Sequence, residues 1–114
     1  MTDHLTPRTQ RIAELNDLCR TAPGIGGRWF TTPGIRELPE ADQSAIREKV
    51  ERFNAFSEDN DPYGERDFGA FDHNGQKIFW KIDYYDPSLH MGSEDPADPR
   101  KTARVLTILL ASEY

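Results

Sequence analysis

The stretch that most restricts how this chain can fold is FGAFDHNGQKIFWKIDYYD, residues 68–86. Two runs rich in aromatic and β-branched residues flank Asn74-Gly75, and both residues of that pair tolerate the positive φ that a two-residue hairpin turn demands. The stretch therefore predicts an antiparallel hairpin over 68–84. In its second run the side chains alternate: Ile78, Trp80, Ile82 and Tyr84 leave one face, and Phe79, Lys81, Asp83 and Tyr85 leave the other. One face is core and the other is amphipathic.

Two helical patterns supply material to cover the apolar face. Thr6 can cap a helix that has Pro7 at its first position, where a missing N–H costs nothing, and Ile12, Leu15, Leu18 and Cys19 then share a side. Pro23-Gly24 ends it, which predicts a helix over 7–21. GIGG at 24–27 follows a helix instead of a strand and lacks the Lys-Ser/Thr of a phosphate loop, so it reads as a flexible turn. RWFTT, 28–32, suits a short strand that turns at Pro33-Gly34. From Pro39 a 3.6-residue period sets Ile46, Val50, Phe53 and Phe56 in a stripe, with Glu40 and Asp42 in the first turn where the helix dipole favours acids. A second helix over about 39–56 is expected. DPSLHMGSEDPADP, 86–99, has three Asp-Pro steps and no periodicity, as a surface loop would. RVLTILLASEY is open to two readings: Ala103, Leu106 and Leu110 align on a helix, whereas Val105, Thr107 and Ile108 favour a buried strand. The expected fold is α+β, with two helices packed on a mostly antiparallel sheet that contains the hairpin. It should be one domain over 1–114 with a loose terminus at 1–5.

Composition narrows the functional classes. Cys19 is the sole cysteine, no secretory leader is apparent, and no apolar run approaches the roughly 20 residues of a membrane span, so a cytoplasmic protein is expected. Charge is unevenly spread. Residues 1–56 hold eight acids and eight bases, but 57–99 hold eleven acids and three bases. A field of that sign repels nucleic acid and anionic lipid and attracts basic surfaces.

The acidic centre, SEDNDPYGERDFGAF at 57–71, invites four readings: metal site, catalytic pair, negative display surface, or solvated turn. DNDPYGERDFGA begins like a calcium loop, but Tyr63 takes a ligand position and Ala70 stands where a bidentate Glu is needed. Asp67 and Asp83 could pair for acid–base or metal chemistry, with Lys81 beside them, but the favoured reading of Asp83 is an edge or amphipathic-face residue paired with Lys81 or with an arginine of the second helix. His4, His73 and His90 lack ligand spacing and read as exposed and inert. Cys19 reads as a small core residue. No metal or other cofactor is expected.

RIAELNDLCR, EDNDPYGERDFGAF, IFWKIDYYD, DPADP and RVLTILLASEY together resemble the family catalogued as domain of unknown function 3768, from about Thr9 to Tyr114. The resemblance implies a short bacterial protein, often carried on plasmids and other mobile DNA, with no catalytic residue to transfer. Combined with the charge, it sets the leading expectation: an acidic protein-binding module, such as an anti-CRISPR or anti-restriction inhibitor, whose partner is a basic nucleic-acid-handling protein. Glu58, Asp59, Asp61, Glu65, Asp67, Asp83 and Asp86 would form its charged surface, and Tyr63, Tyr84 and Tyr85 its anchors. A metal-dependent hydrolase or nuclease using Asp67 and Asp83, and a plain structural adaptor, are the alternatives.

Overall fold

In the computed structural model, which describes residues 6–114, the chain runs α1 (Pro7–Thr21), β1 (Arg28–Thr31), α2 (Pro33–Arg36), α3 (Glu40–Glu51), β2 (Phe68–His73), β3 (Gln76–Tyr85) and β4 (Ala103–Leu110), then a 3-10 turn at Ala111–Glu113. The terminus at 1–5, and His4 with it, lies outside the described residues. The fold is α+β. Its four strands lie in the order β1-β4-β3-β2, antiparallel except that β1 runs parallel to β4.

The hairpin turns where the sequence places it, with Asn74 and Gly75 at φ 50° and 80°. Register then puts Ile78, Trp80 and Ile82 of β3 beside Leu110, Ile108 and Leu106 of β4 on one face. Ile35 of α2 and Ile46 and Val50 of α3 join them, as does Cys19 of α1, all buried. Each large aliphatic or aromatic side chain so buried contributes about 1.5–3 kcal/mol. Gly69 is opposite Trp80, and any β-carbon there would overlap the indole ring, so only glycine lets the tryptophan lie flat under β2.

The C-terminal run is a strand, and a central one, pairing with β1 on one side and β3 on the other and burying Leu106 and Ile108 in the core. Three details differ from expectation. Pro33-Gly34 opens a four-residue helix instead of a turn, held by Glu113, whose carboxylate accepts from Thr32 Oγ1 (2.6 Å), Gly34 N–H (2.9 Å) and Leu110 N–H (2.9 Å). The second long helix stops at Glu51, yet Phe53 and Phe56 still reach the core, edge-on to Trp80 at 5.5 and 6.1 Å. In α1 it is Leu18 that is exposed (43%), while Asn16 and Arg20 are buried. The GIGG turn is closely packed: a β-carbon on Gly27 would lie 2.6 Å from Cys19 Sγ and 2.8 Å from Arg104 O.

Candidate functional site

Residues 57–67 carry the chain from α3 to the edge of the sheet, and their polar groups hold their own shape. Ser57 N–H donates to Asn60 Oδ1 (2.8 Å), Asn60 Nδ2 donates to Ala55 O (2.7 Å), and Arg66 N–H donates to Asp61 Oδ1 (3.1 Å). These are the short-range bonds that Asn and Asp side chains offer a turning backbone. Gly64 and Arg66 take positive φ, 73° and 56°. That conformation is uncommon for arginine. Asp17 of α1 anchors the Arg66 guanidinium at 2.6 Å, and the ring of Phe56 lies 5.7 Å beneath it.

Held this way, the carboxylates divide. Glu58 and Asp59 are exposed, and Tyr63 projects with 81% of its surface free. Asp61, Glu65 and Asp67 turn half inward. Glu65 Oε1 accepts from the Tyr84 hydroxyl (2.8 Å), which in turn accepts from Asn16 Nδ2 (2.7 Å). Asn16 also donates to Glu65 O (2.9 Å), and its Oδ1 accepts from Arg104 Nε (2.7 Å). The Arg104 guanidinium lies 5.2 Å from the Tyr84 ring and donates to Pro96 O. One polar knot thus ties α1, the acidic turn, β3, β4 and the 86–99 loop together.

The knot shifts its members' ionisation. Burial raises Asp61, opposed by the Arg66 N–H and charge. Burial also raises Asp67, and the neighbouring charge of Glu65 adds to the effect. The Tyr84 hydroxyl is held far above its ordinary value, chiefly by burial, so it stays protonated and serves as a donor. Arg104 is lowered by burial, against the attraction of Tyr84, Cys19 and Glu65. Cys19 lies within reach of the fields of Arg104 and Arg20, but burial dominates and pushes its thiol up to about 11, which makes it a core residue and not a nucleophile.

The remaining candidates lie elsewhere. Asp83 is ion-paired to Lys81 on the sheet face away from the helices, which Tyr85 shares. Asp86 accepts from Ser88 Oγ (2.8 Å) and His90 N–H (3.1 Å), capping its own turn. Ile82 N–H donates to Asp67 O (2.8 Å), so Asp67 stands across from Ile82, and strand alternation sends the carboxylates of Asp67 and Asp83 to opposite sides of the sheet. Among the described residues no three His, Cys, Asp or Glu side chains gather as metal ligands. His73 is not exposed: its side chain is 10% accessible, and Nε2 lies 2.9 Å from Asp42 Oδ1. Sequence reasoning missed Asn16, Asp17, Arg20 and Arg104. The available signal was a polar residue inside an apolar pattern, Asn16 between Leu15 and Cys19 and Arg104 ahead of VLTILL.

A family model described as Protein of unknown function (DUF3768) matches residues 31–113. The chain belongs to that family. The match is narrower than the expected Thr9–Tyr114: it spans the acidic turn, Tyr84 and Arg104, but leaves Asn16 outside. No curated protein and no solved structure matches the chain. Among the described residues no helix is long and apolar enough to cross a membrane.

Proposed function

We propose that this member of the DUF3768 family is a small acidic protein-binding module that docks on a basic, nucleic-acid-handling protein through the turn around Asp59 and Tyr63, as an anti-CRISPR or anti-restriction inhibitor in the cytoplasm of a bacterium would. The observation that carries the reading is a tyrosine 81% exposed at a turn whose backbone is already fixed by Asn60, Asp61 and Arg66. Tyrosine brings large contact area for few rotatable bonds, which is why it recurs as an interface anchor. A loop shaped before binding loses little conformational freedom on contact. Glu58 and Asp59 beside it, within a segment of eleven acids and three bases, would steer a basic partner and speed encounter. The same charge opposes direct binding of nucleic acid. Asp61, Glu65, Asp67 and Tyr84 act in this reading by holding the turn, and Asp83, Tyr85 and Asp86 belong to neighbouring surface.

The test is affinity capture from a lysate of bacteria carrying CRISPR and restriction systems, followed by titration of whatever basic protein is retained. Wild type should hold it at low salt and release it at high salt, Asp59→Lys should weaken binding and flatten the salt dependence, and Tyr63→Ala should weaken binding at every salt. Affinity unchanged in both variants would remove this turn from the interface. Retention of nucleic acid alone would overturn the reading.

A further inference from the structure

β2 is an edge strand, and the edge it presents is regular. Because Ile82 N–H donates to Asp67 O, the antiparallel ladder turns the main-chain groups of Gly69, Phe71 and His73 towards β3 and those of Phe68, Ala70 and Asp72 away from it. Beside this outward row lies an open cleft of about 570 Å³ that separates β2 from α3 and the residues following it. Its walls are apolar where Phe53, Ala55, Ala70 and Phe71 meet, and Ala45 keeps the α3 side low.

The formal charges lining the cleft balance, Glu48 and Asp72 against Lys49 and Arg52, but Lys49 is not ion-paired with either acid. Glu48 pairs with Arg52 (3.6 Å) and Asp72 with Lys77 (3.7 Å). Lys49 has no carboxylate within ion-pair distance among the described residues; its ammonium donates to Asp72 O (3.4 Å), lies 3.0 Å from His73 Nδ1 and 5.7 Å from the Phe71 ring. An ammonium only donates, so His73 Nδ1 accepts and its Nε2–H is left to donate to Asp42. Lys49 thereby blunts the end of the edge by covering one outward carbonyl, a common protection of exposed strands. None of these three contacts is a carboxylate, Asp42 standing behind the His73 ring, so the Lys49 ammonium meets no acid directly.

We propose that this groove accepts an extended peptide of a partner protein as a fifth strand on β2, with apolar side chains at alternate positions in the Phe53–Phe71 cleft and a carboxylate on Lys49. Main-chain pairing to Phe68, to Ala70 and to the N–H of Asp72 supplies affinity, and the cleft and Lys49 supply selectivity, the division of labour seen where a peptide adds to a sheet edge. The strand and the helix form opposite walls, so every second side chain of the added strand points into the cleft. The surface is separate from the Asp59–Tyr63 turn, and either could exist without the other.

A displayed library of random peptides of about ten residues, selected on the full chain, tests this. Selection should enrich sequences in which apolar residues alternate and an acid stands near one end. Synthetic copies should shift the amide resonances of Phe68, Ala70 and Asp72. Lys49→Ala should weaken them about tenfold, with a smaller loss for the same peptide carrying Asn in place of its acid. Ala70→Pro deletes an N–H that β3 does not use, so the fold should survive as judged by circular dichroism while binding is lost. Ala45→Phe should block the cleft from the helix side and gives a second route should Ala70→Pro fail to fold. Enrichment of no alternating acidic sequence would overturn the proposal, as would equal binding to wild type, Lys49→Ala and Ala45→Phe. A wild-type dimer in sedimentation that Ala70→Pro dissociates would also overturn it, by making a second copy of β2 the occupant.

Discussion

The two acidic loops of this protein have similar compositions and opposite electrostatics. In the turn at 57–67, Asp61 and Asp67 are drawn under the end of the sheet, and burial raises both. In the 86–99 loop Glu94 is exposed and Asp86, Asp95 and Asp98 are half-buried, yet each acid grips what is nearest. Asp86 takes the Ser88 hydroxyl and the His90 N–H, and Asp98 takes the Arg100 guanidinium and N–H, and both are lowered, in each case chiefly by the side-chain hydrogen bond. Asp95 accepts from Arg8 (3.1 Å) and from Ala97 N–H (3.2 Å), and Glu94 lies 3.6 Å from Lys101. A count of carboxylates therefore says little about the negative surface a loop presents. What decides it is whether burial or the hydrogen bonds from nearby side chains and backbone weigh more on each acid.

If the inner turn is held chiefly by the buried knot and the outer loop chiefly by its own short-range bonds, with Arg104 on Pro96 O and Arg8 on Asp95 as longer ties, substitutions should separate them. The largest effect is expected from Asn16→Leu, which takes the acceptor from the buried Arg104 Nε–H and a donor from both the Tyr84 hydroxyl and Glu65 O; urea unfolding should show a loss of about 3–5 kcal/mol, from several buried hydrogen bonds at roughly 1–3 kcal/mol each. Tyr84→Phe keeps the ring under Arg104 and removes only the hydroxyl, which leaves Glu65 Oε1 and one Asn16 donor without their partner; about 1–3 kcal/mol should be lost. Equal stability of wild type and Asn16→Leu would dissolve the distinction between the two loops. Proteolysis sharpens it further: both variants should become susceptible within 57–67 well before 86–99.

The hairpin, both long helices and the strand at 103–110 could be read from local chemistry, because Asn-Gly, the 3.6-residue stripe and alternating β-branched residues act within a few positions of one another. The parallel pairing of β1 with β4 could not, since nothing near Arg28–Thr31 names a partner some 77 residues away, Arg28 lying beside Val105. The helix end at Glu51 escaped for a related reason: Phe53 and Phe56 continue the apolar stripe in sequence but reach Trp80 from an irregular backbone. At the site, Tyr63 and the exposed acids were legible, as was the pairing of Asp83 with Lys81. The inward turn of Asp61, Glu65 and Asp67 was not, because Glu65 is held by Asn16 and Asp67 by its pairing with Ile82, and Asn16 with its partner Arg104, 88 residues apart, are each disguised within an apolar run. His73 was misjudged in the same way: a histidine beside a hairpin turn is exposed unless a helix brings an Asp42 to it.

The smallest and most discriminating effect is the pH response. Asp61 and Asp67 have folded-state values above those of an unfolded chain, so their contribution to stability is fully present below the ordinary aspartate range and is lost as pH rises through the raised values. Asp86 and Asp98 are shifted down, so theirs is present above that range and is lost as pH falls through the lowered values. Asp67→Asn should accordingly raise the melting temperature at neutral pH, where the wild-type carboxylate is ionised against its surroundings and the charge of Glu65, and the gain should vanish in acid. Asp98→Asn should do the reverse, with a slight loss at neutral pH that disappears in acid. Side-chain carboxyl titration by NMR measures the two loops in one sample. Midpoints for Asp61 and Asp67 above those for Asp86 and Asp98 are required; a common midpoint would mean that the inner turn is as wet as the outer loop, and that the knot around Asn16 does not hold it.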